Sequence, residues 1–253
     1  MKSVLTWLAS LSLGCVALTA AETNASPKPP LRVGVSPEFP PMVFKQGKSL
    51  AGVEIDMARA LGERLGRKVE FVEVPWKDQI DQLNDAKTDI IMSSMSVTMA
   101  RRYMVNFSKP YLLVGQMALV RRENKSEYIL GFPSKPSGTI GVLRATTGEF
   151  LVQRDFPKSK YKSYQNADDA AEALIKKKIG LFVSDSTLVW YLAGKHAADG
   201  LTVVPIPLSE EKLAWAVRKN DEALLDQVNT FLDEAARDGT LKKAFKRWTA
   251  VGE

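Results

Sequence analysis

Two series of alternating strand-like and helix-like segments, each running out into a short polar terminus, constrain this chain more than any other feature. In the first, Leu31–Val35 reads as a strand closed by Ser36-Pro37 and the Pro40-Pro41 turn. Val53–Leu65 carries Ile55, Ala58, Leu61 and Leu65 on one helical stripe, and Gly66 stops it. Residues 69–74 alternate with period two, residues 78–86 are helix-like around Ile80 and Leu83, and residues 89–92 are a short buried strand ending in Ser93-Ser94. After the polar stretch 121–137 the pattern restarts with a strand at 139–143, helices at 148–154 and 167–176, and a buried strand at 180–183 ending in Ser184-Asp185. Such alternation predicts an α/β fold with a doubly wound, mostly parallel sheet in each of two lobes.

The late chain predicts how the lobes join. Residues 201–204 and 212–217 read as strands, and from Asp221 a helix shows Leu224, Leu225, Val228, Phe231 and Leu232 on its apolar face. A terminal helix spans 240–248, with Thr240 after Gly239 as its expected cap. If these helices return to the first sheet, lobe 1 comprises residues 31–118 and 213–250 and lobe 2 residues 121–208. The crossings at 119–120 and 209–212 are then the natural hinge.

The first 21 residues have the pattern of a secretory signal: Lys2, an almost uncharged run from Val4 to Ala20, then small residues before Glu22. That run is too short for a membrane-spanning helix, so the expectation is an exported, periplasmic protein. The sole cysteine, Cys15, lies inside the signal, and Ser12 fits a lipidation pattern poorly, which makes a lipid-anchored form the lesser alternative. After cleavage no disulfide contributes to stability. The net charge is +6, but the basic residues are dispersed and no basic face is interleaved with aromatics, which argues against a nucleic-acid partner.

The residues offer little for catalysis and more for binding. His196 is the sole histidine, expected at a solvated helix end, so a typical zinc centre is excluded. Thr146-Thr147-Gly148-Glu149 lacks the lysine of a phosphate loop, Asp168-Asp169 reads as a solvated helix cap, and no cofactor is implied. Arg101 offers a planar fork for a carboxylate, with backbone N–H groups near Ser96 or Thr98 and Thr147 from the opposing sheet. Asp185, after a buried strand, suits an ammonium or else caps a helix over residues 186–192. Opposite charges facing one another fit an α-amino acid. Phe39 and Trp76 follow two strand ends and serve equally as pocket walls or as core, while Tyr111 and Phe107 are expected to pack beneath.

GVEIDM at 52–57, DIIMSSMSVTMAR at 89–101 and FSKPY at 107–111 resemble the signature blocks of the bacterial extracellular solute-binding proteins of family 3, the polar amino-acid receptors of ABC importers. The resemblance spans about residues 31–248. It implies that Arg101, Ser96 and Thr147 hold an α-carboxylate, that Asp185 and Ser94 receive the α-ammonium, and that Phe39 and Trp76 stack on the side chain. Ser36 and Ser93 join them at the strand ends. It further implies closure of two lobes over the ligand, docking to a membrane permease or a sensor receptor, and action as a monomer. Ala145 stands where the family often has glycine. Ser36 and Val43 stand where receptors for basic or amide ligands often carry acids, and a hydroxyl or apolar group cannot neutralise a cation, so a neutral or polar amino acid is expected. The alternative is an exported cyclohexadienyl dehydratase acting on prephenate or arogenate, with Glu149, Asp185 or Glu54 as the acid.

Overall fold

The computed structural model describes residues 28–249; the signal expected at 1–21, with Cys15, lies outside them. The chain opens with β1 (Leu31–Val35), then a small antiparallel sheet of β2 (Glu38–Phe39), β3 (Val43–Gln46) and β4 (Ser49–Ala51). Gly52 links β4 to α1 (Val53–Leu65) at φ 120° and ψ 174°. A side chain there is barred twice, by the backbone angles and by the Met42 carbonyl, which lies 2.3 Å from where a Cβ would sit. Ile55, Ala58 and Leu61 of α1 are fully buried, and Gly66 ends the helix in the left-handed conformation.

β5 (Val69–Glu73), α2 (Gln79–Asn84), β6 (Ile90–Ile91), α3 (Met99–Met104) and β7 (Asn106–Phe107) follow, and β8 (Leu112–Val114) leads out of the first lobe. The second lobe contains β9 (Gln116–Arg121), β10 (Ile140–Leu143), α4 (Thr147–Asp155), β11 (Tyr161–Tyr164), α5 (Ala167–Ile175), β12 (Leu181–Asp185), α6 (Ser186–Lys195) and β13 (Leu201–Val204). The chain returns through β14 (Glu211–Leu213) and β15 (Ala216–Val217) and ends in α7 (Glu222–Asp238) and α8 (Thr240–Trp248). Among the described residues no helix is long and apolar enough to cross a membrane.

Two five-stranded sheets result, ordered β5-β1-β6-β15-β7 and β11-β10-β12-β9-β13. Both are mostly parallel with one strand reversed. In each, the first-laid strands pair in parallel, β1 with β5 and β6, and β10 with β11 and β12. The antiparallel members are β15 and β9, the strands that enter each lobe from the other. A chain that crosses and immediately joins the facing sheet arrives without a covering helix, so it is free to run antiparallel.

The crossings themselves pair as an antiparallel ribbon, β8 with β14, in register Glu211↔Val114 and Leu213↔Leu112. Residues 119–120, expected at the first crossing, instead lie inside β9 with their partners in β12 and β13, so that crossing falls earlier in the chain. Their uninterrupted apolar run is what a strand buried on both faces requires. At the base of the ribbon, fully buried Trp215 packs on Tyr111 at 5.4 Å and Phe231 at 6.1 Å between ring centroids. α7 buries Leu224, Val228, Phe231 and Leu232, each side chain contributing about 1.5–3 kcal/mol when fully withdrawn from water.

Three local expectations are corrected. Thr240 is the first residue of α8 rather than its cap; the preceding Gly239 is left-handed, and the Thr240 amide donates to Asp238 Oδ1 at 2.8 Å. Asn166, not Asp168 or Asp169, caps α5 by accepting from the Asp169 amide, although both aspartates are exposed. The His196 side chain is only 19% exposed and holds Asp199 at 2.9 Å through Nδ1, so the ring is packed rather than solvated.

Candidate functional site

The lobes face each other across a cleft whose first wall is built by the ends of β1 and β6. Chain entering from these buried strands leaves polar groups that must be paired, and the serines do much of that work. Ser93 Oγ accepts the Ser36 amide at 2.7 Å, and both residues are buried. Ser93 therefore closes the strand end instead of presenting its hydroxyl to the cleft. Ser94 adopts φ 55° and donates its amide to Glu54 Oε1 at 2.8 Å, leaving its own buried hydroxyl without a hydrogen-bond partner.

Glu54 is a buried carboxylate in the first turn of α1, where the helix dipole favours negative charge. It also accepts from Tyr111 Oη and, at 2.7 Å, from Trp215 Nε1. Burial raises its pKa, and the hydrogen bonds from Tyr111, Ser94 and Trp215 oppose the rise. One side chain thus fastens α1, the serine loop and the approaches to both crossing strands.

Arg101 sits on α3, which Thr98 caps by accepting the Arg101 amide at 3.2 Å. Its guanidinium donates to the Ser96 carbonyl at 2.8 Å and lies 5.1 Å from the Trp76 ring centre. Ser96 is itself bridged to Leu213 on the return crossing. Trp76 tilts against Phe39 at 5.2 Å, so the two expected wall residues do come together. The Trp76 indole then crosses the cleft and donates to the Ala145 carbonyl at 3.0 Å.

Ala145 belongs to the loop between β10 and α4 and has φ 58°, the conformation for which glycine is the usual residue. Its amide donates to Glu149 Oε2 at 2.7 Å, while Thr146 caps α4 by accepting the Glu149 amide. Glu149 also accepts from Ser163, so this carboxylate is occupied in holding the loop. Thr147 opens α4 and donates its hydroxyl to Glu211 Oε2 at 2.8 Å.

Asp185 ends β12 directly opposite Gln116 of β9. That register places the Gln116 amide where its Nε2 donates to both Asp185 Oδ1 and, at 3.1 Å, Thr147 Oγ1. Gly148 makes room, because a Cβ there would lie 2.6 Å from Gln116 Oε1. Asp185 occupies the N-cap position of α6 but forms no side-chain cap bond, leaving its carboxyl committed to the cleft side. Burial pushes its pKa up to about 7, the Glu211 charge adds to the rise, and the Gln116 bond and the Arg101 charge pull against it. Arg101 is lowered by burial and supported by the charges of Asp185 and Glu211.

Glu211, Gln116 and the positioning role of Glu54 escaped the sequence reading. A strand-end rule finds Asp185, but Gln116 is found only through the β9–β12 register and Glu211 only through the return crossing. Next to this network a cavity of about 570 Å³ opens between Met99 and Arg102 of one lobe and Thr147 and Phe150 of the other, with Glu211 in its lining. It adjoins the Arg101–Asp185 pair rather than enclosing it.

The fold has known counterparts. An ancestral amino acid-binding protein, a precursor of cyclohexadienyl dehydratase, superposes with a TM-score of 0.77 at 34% identity, covering 86% of this chain and 94% of that one. A binding component of an ABC transporter from Wolinella succinogenes, complexed with lysine, gives a TM-score of 0.80 at 29% identity over 86% and 94%. The "Probable histidine-binding protein" of Neisseria gonorrhoeae is 28% identical over 96% of this chain and 95% of its own length. These likenesses fit the two-lobed architecture, and the family described as bacterial extracellular solute-binding proteins, family 3, matches residues 31–251, so the chain belongs to that family.

Proposed function

We propose that this chain is an exported receptor that captures one amino acid by both of its backbone charges and hands it to the permease of an ABC importer. The observation that carries the reading is that Arg101 on one lobe and Asp185 on the other stand on opposite sides of a cleft bridged by the Trp76–Ala145 bond, Arg101 held by the Ser96 carbonyl and Asp185 by Gln116. A ligand carboxylate suits the Arg101 fork, its ammonium suits Asp185, and its side chain meets the Phe39–Trp76 faces. Closure excludes water, which strengthens both ionic contacts and makes capture reversible without covalent chemistry. A single copy supplies both halves of the clamp, so a monomer suffices, and a sensor receptor is served by the same capture step.

Calorimetric titration with the twenty amino acids tests this. At least one is expected to bind, and Arg101→Ala is expected to weaken that ligand by about 1.5–3 kcal/mol, more than tenfold in Kd, because a charged hydrogen-bond partner is lost. Unchanged affinity in the variant overturns the clamp. The expectation of a neutral ligand rested on Ser36 and Val43 and counted no acid from the return crossing, where the structure adds Glu211.

The dehydratase reading draws support from one feature, a carboxyl that retains its proton near pH 7 beside a second carboxylate, the environment of a general acid. Release of product from prephenate or arogenate decides it. Asp185 accepts from Gln116, whose amide also reaches Thr147 and through it Glu211, and this polar network across the cleft favours the receptor.

A further inference from the structure

We propose that Glu211, carried to the cleft by the return crossing, is a specificity-determining residue that selects amino acids with a cationic side chain over neutral ones. The proposal rests on the receptor reading above and adds the ligand's charge class to it.

The first argument is a charge count. A zwitterionic backbone matches Arg101 with its carboxylate and Asp185 with its ammonium, and Glu211 is then left over. Its two oxygens accept only from hydroxyls, Thr147 Oγ1 at 2.8 Å and Ser209 Oγ at 3.0 Å. Hydroxyls satisfy hydrogen bonding without cancelling charge, and among the described residues neither Glu211 nor Asp185 forms an ion pair.

The second argument is proximity. Only the Gln116 amide nitrogen and the Thr147 hydroxyl separate the two carboxylates along a continuous hydrogen-bonded path. Two like charges this close oppose each other, and the effect is visible in the upward push that Glu211 adds to burial at Asp185. A second positive group on the ligand relieves both.

The third argument is access. Glu211 is half-buried and lines the 570 Å³ cavity together with Thr147, so there is space for a long side chain to reach it. The cationic residues that share this cavity, Arg102, Arg154 and Lys212, are all exposed on its rim. Water and salt screen them more than they screen a half-buried acid. The cation partner thus comes from a crossing strand and not from the β1 end, where Ser36 stands.

Arginine and citrulline test this cleanly, because they share shape and hydrogen-bonding length and differ in charge. Titrated calorimetrically at pH 8, where Asp185 is ionised, the wild-type chain is expected to bind arginine at least tenfold more tightly than citrulline. Glu211→Gln keeps the side-chain shape and one acceptor oxygen and removes the charge, so the ratio is expected to fall below threefold; Glu211→Asp restores most of it. Equal binding in the wild type, or a ratio unchanged in Glu211→Gln, overturns the proposal. If neither compound binds while a neutral amino acid binds in an Arg101-dependent way, this inference fails and the receptor stands. If no amino acid binds, the receptor reading itself fails.

Discussion

Asp185 is where residue-level chemistry has the largest consequence. A carboxyl normally ionises near 4, and burial with the Glu211 charge lifts this one to about 7, while Gln116 and Arg101 restrain it. Tyr111 also lies within reach of its charge. An ammonium ligand needs the ionised form, so below pH 7 a proton must leave as the ligand arrives. At pH 6 nearly one proton per ligand is expected to be released, measured by calorimetry in buffers of different ionisation enthalpy, and Kd is expected to weaken about tenfold per unit below 7. Asp185→Asn removes the release; persistence of it there contradicts the assignment. In the ligand-free chain the sign is opposite. The folded state keeps a proton that the unfolded state has already lost, so the contribution of Asp185 to stability is full below about pH 4 and disappears as pH rises through 7. Arg101 and Asp185 were legible in the sequence because each follows a buried strand end. Gln116 and Glu211 were not, because nothing local distinguishes a glutamine in an apolar strand, or a glutamate in Glu210-Glu211, from an ordinary solvated residue.

Elements follow the same division between local and non-local information. α1 and α7 are long enough to display their period, and their buried faces follow the stripes read from the chain, while β12 was legible as a short apolar run. β2, β7 and β15 have two residues each, too few for any alternation, and exist only because neighbours supply the pairing. The loop from β10 into α4 lies between these cases. Its capping pair Thr146 and Glu149 is a legible helix start, whereas the left-handed Ala145 between Arg144 and Thr146 is evident only in the backbone. Alanine in that conformation costs about 1–2 kcal/mol. Ala145→Gly is therefore expected to stabilise the chain by about 1 kcal/mol, read as a higher urea midpoint with an unchanged slope, after part of the gain is offset by the freer unfolded glycine. A lower midpoint means that the methyl group's packing outweighs the strain.

At the scale of the molecule, single contacts reach across the cleft, and on the proposed reading they tune closure over the ligand. Trp76 reaches Ala145 through its indole N–H, and Phe44 of β3 meets Tyr191 of α6 at 6.3 Å. Phe44 is steadied from behind by Trp248, edge-on at 5.5 Å, whose own N–H is held by Asp56. A neutral hydrogen bond contributes about 0.5–1.5 kcal/mol, so these contacts bias the closed state without locking it, and the ligand's two charges supply the rest. Trp76→Phe keeps an aromatic face for Arg101 and Phe39 and removes only the bond between lobes. It is expected to weaken ligand binding three- to tenfold through faster release, with the ligand-free chain more open in solution scattering. If release and scattering are both unchanged, closure does not depend on the Trp76–Ala145 bond. The ribbon also explains why recognition and movement share residues: Glu211 lies on β14, and Ser96 beside Arg101 is bridged to Leu213 of the same strand. On the proposed reading, a ligand that neutralises Glu211 acts on a strand of the crossing ribbon, so binding and closing would share a common set of contacts.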